Sequence, residues 1–181
     1  MKVIEKALNG IILFEPPVFG DSRGYFFESF RKNLFEEECE SVVDFVQDNE
    51  SFSQKGVLRG LHFQNPPYEQ GKLVRVTQGA VMDVAVDIRK KSQSYGEYFS
   101  TVLSEENKRM LWIPPGFAHG FLTLKNNTRF LYKCTNYYNK DSEGGLLWND
   151  TTLSINWKIK KPLISEKDAQ LSSFVNFNSQ F

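Results

Sequence analysis

The sequence predicts an all-β fold, a sandwich or barrel of many short strands with few helices. Three observations predict it. Apolar and polar residues alternate over short runs along most of the chain. Gly, Pro, Asn, Asp and Ser punctuate those runs at close intervals. Helical signals appear only twice, so the chain lacks the helix between successive strands that a parallel α/β sheet requires.

Taken in order, Val3 to Glu15 reads as one or two strands, with Ile11 to Phe14 apolar and Pro16-Pro17 ending the run. Asp21-Ser22-Arg23-Gly24 is a turn, and Tyr25 to Phe30 follows as an aromatic strand with Phe26, Glu28 and Phe30 on one face. Lys32 to Glu40 is the first helical segment, its run Glu36-Glu37-Glu38 forming a solvated face. Val42 to Val46 is strand-like and leads into the polar Gln47-Asp48-Asn49. Leu73 to Gln78 alternates and stops at Gly79. Val81 to Arg89 alternates cleanly, and Asp83 and Asp87 share one of its faces. Aspartate is a poor strand former, so that face is expected to meet water, a lysine or a ligand. Tyr98 to Leu103, Met110 to Ile113, Gly120 to Leu124 and Arg129 to Tyr138 continue as strands. The second helix follows Pro162, with Ser165 as N-cap and Asp168 at the capping-box position.

The 181 residues fit one domain (1–181) with a sizeable core, because 40% are hydrophobic, sixteen are Phe, and no linker or repeat divides the chain. Lys+Arg and Asp+Glu both number 22, which removes the electrostatic case for nucleic acid or an anionic membrane as partner. Cys39 and Cys134 have no C-x-x-C spacing, so neither a disulfide framework nor a zinc site is expected. The segment MKVIEKALNGIILF has polar breaks where a signal peptide needs a continuous apolar core. No apolar run reaches membrane-spanning length, and the expected location is the cytoplasm.

The chemistry gathers around the only two histidines. His62 lies in GVLRGLHFQNPPYEQGK, close to Arg59, Gln64 and Lys72, and His119 lies in PPGFAHGF. Two histidines in similar Gly/Pro-punctuated, aromatic-rich settings point to one polar pocket built from both. Arg59 and His62 are three apart, which in a regular strand puts them on opposite faces. Bringing both into the pocket requires a bulge, and Gly60 is where it can form.

Pro114-x-Gly116-x-x-His119 resembles the second signature of the cupin superfamily of jelly-roll barrels, and Gly56 followed by His62 resembles the opening of the first. Metal-binding cupins place a second histidine where this chain has Gln64. With two histidines in all, their usual three-histidine-plus-carboxylate site cannot be assembled, so no metal or other cofactor is expected. A pocket of His, Lys, Tyr and carboxylates suits proton transfer next to a carbonyl.

The segments DSRGYFFESF, FVQDNESFSQKGVLRGLHFQ, QGKLVRVTQGAVMDVAVDIRKKS, WIPPGFAHGF, YKCTNYY, EGGLLWND and ISEKDA together span nearly the whole chain. In content and order they resemble the dTDP-4-dehydrorhamnose 3,5-epimerase family, cupins that work without a metal. That resemblance implies a dTDP-linked 4-keto-6-deoxyhexose substrate inverted at both carbons flanking the ketone. It implies His62 as base, Asp168 as its orienting partner, Tyr132 as general acid and Lys72 as the group facing the enolate. Arg59 and His119 would lie close to the sugar or the diphosphate, and Gln47, Asn49, Glu143 and Lys167 along the nucleotide sugar. Arg23, Phe26 and Glu28 would reach the nucleotide from the other subunit of a homodimer, with Tyr138 a further contact. Plainer roles stay open for several of these residues: a helix cap for Asp168, core packing for Tyr132 beside Phe130 and Cys134, and a lysine–aspartate pair for Lys72 and Asp83. The rival functions are a single-carbon epimerase of a related deoxysugar and a non-catalytic sugar-nucleotide-binding cupin.

Overall fold

The computed structural model describes residues 1–181. The first third contains β1 (Lys2–Ala7), β2 (Ile11–Glu15), β3 (Phe19–Asp21), β4 (Gly24–Phe26), α1 (Lys32–Cys39) and β5 (Gln47–Ser53). The middle contains β6 (Leu58–Gln64), β7 (Lys72–Gln78), β8 (Ala80–Asp87) and β9 (Tyr98–Ser104). The last part contains β10 (Met110–Ile113), β11 (Phe117–Thr123), β12 (Thr128–Cys134), β13 (Glu143–Gly145) and α2 (Glu166–Ala169). No helix is long and apolar enough to cross a membrane.

Two antiparallel sheets face each other, one ordered β1-β2-β10-β7-β12-β5 and the other β13-β6-β11-β8-β9. This is a jelly roll, within the sandwich-or-barrel class that the alternating strands predict and of the kind that the cupin resemblance implies. The inward residues, among them Leu13, Val74, Val81, Leu111, Phe121 and Phe130, form one apolar core between the sheets. The outer face of the five-stranded sheet is covered by the chain's C-terminal part, including Trp157, Phe174, Phe177 and Phe181. That double cover is why every residue of β8 is buried. Helix α1 covers part of the other sheet through Phe35, whose ring meets Trp112 edge-on at 5.1 Å.

Several segments differ from the sequence expectation. Val42 to Val46 is not a strand; Val43 and Phe45 turn into the cluster around Phe35 instead. The strand begins at Gln47, where pairing with Cys134 starts, and runs to Ser53 with polar Gln47, Asn49, Ser51 and Ser53 alternating along it. The aromatic strand from Tyr25 stops at Phe26, because its only partner is the three-residue β3. The strand expected from Gly120 already starts at Phe117, and the one expected to reach Tyr138 ends at Cys134. Asp83 and Asp87 are fully buried and do not meet water. Asp87 accepts from Arg89, Ser92 and Ser94, and Asp83 faces His119.

The expected irregularity at Gly60 is present. On β11, His119 pairs with His62 and Phe121 with Arg59, so two steps on one strand oppose three on the other. The extra residue turns both Arg59 and His62 toward the same cavity. Gly60 has φ +114°, and a Cβ there would stand 2.6 Å from the Gly120 Cα and the His119 carbonyl oxygen. Gly60→Ala is therefore expected to cost roughly 2 kcal/mol or more of stability, read by urea unfolding. A variant as stable as the wild type would show that the bulge tolerates a side chain.

Candidate active site

A cavity of about 570 Å³ opens between the two sheets. It is lined from one side by Arg59, His62 and His119 of β6 and β11, from the other by Ser51, Lys72 and Tyr132 of β5, β7 and β12, and at its edge by Lys167 and Asp168 of α2. A larger hollow of about 790 Å³ beside α1 contains none of the candidate catalytic or substrate-binding residues.

His62 and His119 are direct cross-strand partners, and each is paired with a carboxylate. His62 Nε2 donates to Asp168 Oδ1 at 2.8 Å, and His119 Nε2 lies 3.0 and 3.1 Å from the two oxygens of Asp83. Exposure separates the two pairs. The His62 side chain keeps 32% of its surface and that of His119 only 8%. His62 can therefore meet a bound molecule with its free ring edge, whereas His119 belongs to the pocket floor, stacked on Phe130 with centroids 6.1 Å apart. Phe121 and Phe130 stack at 4.2 Å across the two sheets and complete that floor.

The side chain of Asp168 does not cap α2; it faces His62. Its own N–H donates to Ser165 Oγ at 3.1 Å, so Ser165 caps α2. Its carboxylate is spent elsewhere, accepting from His62 and, at 3.2 Å, from the Gly60 N–H. Burial alone would raise this carboxyl, but the bond and charge of His62, with the donors at Gly60 and Ser165, outweigh it and hold the pKa below the ordinary aspartate value.

On the facing sheet, burial pushes the Tyr132 hydroxyl up, the Cys134 charge adds to that, and Arg59 opposes it. Burial lowers the Lys72 ammonium, while Cys134, Asp83 and Glu143 act against the loss of its charge. Asp83 acts on Lys72 through its charge while its hydrogen bonds go to His119, so the two do not form the lysine–aspartate pair. Arg59 is held by Ser53 Oγ at 3.1 Å.

Near the mouth, Glu143 Oε2 accepts from Lys167 Nζ at 2.6 Å and from the Tyr138 hydroxyl at 3.0 Å. Burial opposes ionisation of Glu143, but these bonds and the charges of Lys167 and His62 keep its pKa low. Gln47 accepts from the Tyr138 N–H and donates to Asn49, whose amide reaches Cys134 Sγ. Gln64 does not face the cavity: its amide clamps the carbonyls of Tyr68 and Tyr137 and the N–H of Asn139. No group of three or more His, Cys, Asp or Glu side chains is placed to hold a metal.

Arg23, Phe26 and Glu28 are not brought to this cavity. Arg23 pairs with Asp21 and Glu28 with Arg31, both on the surface. Phe26 is 70% exposed on the β3–β4 hairpin, while its neighbours Tyr25 and Phe27 lie against Lys108 and Arg75. The sequence reading missed Ser51 and the Phe121–Phe130 floor, and it placed Ser165 as a helix cap without seeing that it also lines the cavity. The signal for Ser51 was the period-two polar series Gln47, Asn49, Ser51, Ser53.

A jelly roll with paired signature histidines and a polar pocket between its sheets is a cupin-type protein. The family model for dTDP-4-dehydrorhamnose 3,5-epimerase matches residues 5–176. The chain is 53% identical to the dTDP-4-dehydrorhamnose 3,5-epimerase of Shigella flexneri, covering 97% of each. It superposes with a TM-score of 0.93 on the dTDP-6-deoxy-D-glucose-3,5-epimerase of Legionella pneumophila in complex with dTDP-4-keto-L-rhamnose, at 45% identity and covering 98% of this chain and 94% of the other. A 3'-monoepimerase of Streptomyces bikiniensis in complex with dTDP-quinovose has a TM-score of 0.86 at 28% identity, covering 91% of this chain and 83% of the other. The chain belongs to the dTDP-4-dehydrorhamnose 3,5-epimerase family of isomerases.

The depressed Asp168 pKa fixes a sign for pH dependence. The stabilisation from its ionised form is complete above the ordinary value of 3.8 and is lost as pH falls through the lower folded value. Asp168→Asn is expected to cost about 2 kcal/mol near neutral pH, and its deficit relative to wild type should shrink on acidification below that value. Unfolding curves at several pH values measure this, and a deficit independent of pH would contradict it.

Proposed function

We propose that the protein inverts carbons 3 and 5 of dTDP-4-dehydro-6-deoxy-D-glucose to give dTDP-4-dehydro-L-rhamnose. The observation that carries this is the division of the cavity: a histidine on one sheet, paired with a carboxylate from α2, faces a tyrosine and a lysine on the other sheet. The substrate hydrogens next to the ketone are weak acids, and their removal needs a base together with a positive charge at the oxygen that becomes an enolate.

In this reading His62 removes the proton through its free ring nitrogen, and Asp168, on the other nitrogen, fixes the tautomer and balances the imidazolium. Lys72 stabilises the enolate oxygen. Tyr132 returns a proton to carbon from the opposite side, which inverts the centre; its raised pKa keeps the hydroxyl protonated at neutral pH. Arg59 and His119 hold the sugar or the diphosphate, and Gln47, Asn49, Glu143, Lys167 and Tyr138 line the nucleotide's path. The Legionella protein's complex with dTDP-4-keto-L-rhamnose supports a nucleotide-sugar ligand.

We also read the working unit as a cytoplasmic homodimer. Both cysteines are free thiols, which suits a reducing compartment. The exposed hairpin carrying Arg23 and Phe26 stands away from its own chain's cavity, which supports a role for these residues and Glu28 in the partner's site.

Two experiments test the reading. In heavy water with the 4-keto substrate, His62→Ala should lose deuterium uptake at both carbons by about a hundredfold or more. Tyr132→Phe should retain exchange while formation of the inverted sugar falls steeply. Full epimerisation by Tyr132→Phe would return that residue to the core and send the acid role elsewhere. For the dimer, mixing inactive Arg23→Ala with inactive His62→Ala should restore activity, since a mixed dimer has one pocket with both residues intact. No recovery after demonstrated subunit exchange would remove Arg23 from the partner's site.

A further inference from the structure

The Ser51 side chain lines the cavity, and its Oγ is buried with no hydrogen-bond partner. An unpaired buried hydroxyl is costly and uncommon. Its neighbours on the inward face of β5 are all engaged: Gln47 with Asn49, Asn49 with Cys134, and Ser53 with Arg59. Only Ser51 in that series has nothing to bond. Nothing holds its hydroxyl in place, so rotation about the Cα–Cβ bond into the cavity breaks no hydrogen bond.

The register locates what it would meet. Asn49 is the cross-strand partner of Tyr132, Ser51 that of Phe130, and Ser53, one inward position further, holds the Arg59 guanidinium. Ser51 thus stands between the level of the tyrosine and the level of an arginine suited to phosphate. In a sugar diphosphate, the group that joins the ring to the more distant charge is the first phosphate.

We infer that Ser51 is a substrate-binding residue whose hydroxyl donates to an oxygen of the phosphate attached to the sugar. This rests on the nucleotide-sugar reading above and adds to it a residue that the sequence pattern did not single out.

The test uses Ser51→Ala, Ser51→Thr and the wild type, with dTDP as probe by titration calorimetry and the melting temperature of each ligand-free protein. Removing an unpaired buried hydroxyl should leave the melting temperature unchanged or higher, which a structural hydrogen bond would not allow. The alanine variant should bind dTDP roughly tenfold more weakly, with KM raised similarly and kcat little changed. Ser51→Thr, which keeps the hydroxyl, should recover most of the affinity. Unchanged dTDP affinity with reduced turnover would move the contact to the sugar and overturn the phosphate assignment. Unchanged affinity and turnover, or a lowered melting temperature, overturns the inference altogether. If the wild type itself fails to bind dTDP, the nucleotide-sugar reading fails first and this inference with it.

Discussion

One carboxylate ties the polar cavity to the fold around it. Asp168 bonds the His62 ring and the Gly60 N–H, and its own N–H is held by Ser165. Helix α2 is four residues long and cannot persist by its own backbone bonds. It is held by stitching to β6: Leu58 N–H donates to the Leu163 carbonyl, and Leu163 N–H to that of Gly56. A buried carboxylate is stable only when its lone pairs are used, and here they are used on the bulge and on His62. The bulge, His62 and the helix therefore form one unit, and disturbing any of the three misplaces the other two.

The second carboxylate–histidine pair serves a different end. Asp83 is fully buried with both oxygens against His119, and this pair stands on the stacked Phe121 and Phe130 rings. It puts negative charge inside the barrel near Lys72, and that charge opposes the lowering of the ammonium by burial. Glu143 contributes from the mouth. The lysine is supported by charges around it rather than consumed by one direct partner, so its hydrogen-bonding capacity remains for a ligand oxygen.

The parts of this structure that were legible in the sequence are those governed by one local rule. Alternation gave the strands around Val74 and Val84, turn residues bounded the apolar strand around Leu111, and Ser165 gave the start of the last helix. The bulge at Gly60 followed from requiring Arg59 and His62 in one pocket. Failures came where tertiary context overrode the pattern. Val42 to Val46 has strand-forming residues, but the aromatic cluster under α1 takes Val43 and Phe45. Gln47 to Ser53 has almost no apolar residue and is still a strand, because its inward face gives Ser51 to the polar cavity and Asn49 and Ser53 to hydrogen bonds with Cys134 and Arg59 instead of packing a core. A strand whose inner face is reserved for a ligand does not show the hydrophobic alternation by which strands are recognised. The paired aspartates of β8 misled for a related reason: their partners, His119 and Arg89, are supplied by neighbouring segments.

The resemblance in fold between this chain and a 3'-monoepimerase bears on where the outcome of the reaction is decided. His62 is fixed by Asp168 and by β6, and Tyr132 by pairing on both sides, to Asn49 and to Val74. Neither can move far without breaking a sheet. If one base serves two carbons on either side of a ketone, the sugar must turn between the two proton transfers. On the proposed mechanism the number of centres inverted is then set by the groups assigned to hold the ring and its phosphates: the aromatic floor, Arg59 on its Ser53 anchor, and the unpaired hydroxyl of Ser51. Firm anchoring at the phosphate with an apolar surface beneath the ring favours turning, because the ring then has few hydrogen bonds to break. On the proposed mechanism His62 and Tyr132 are thus poor reporters of one inversion or two, and the walls of the pocket are better ones.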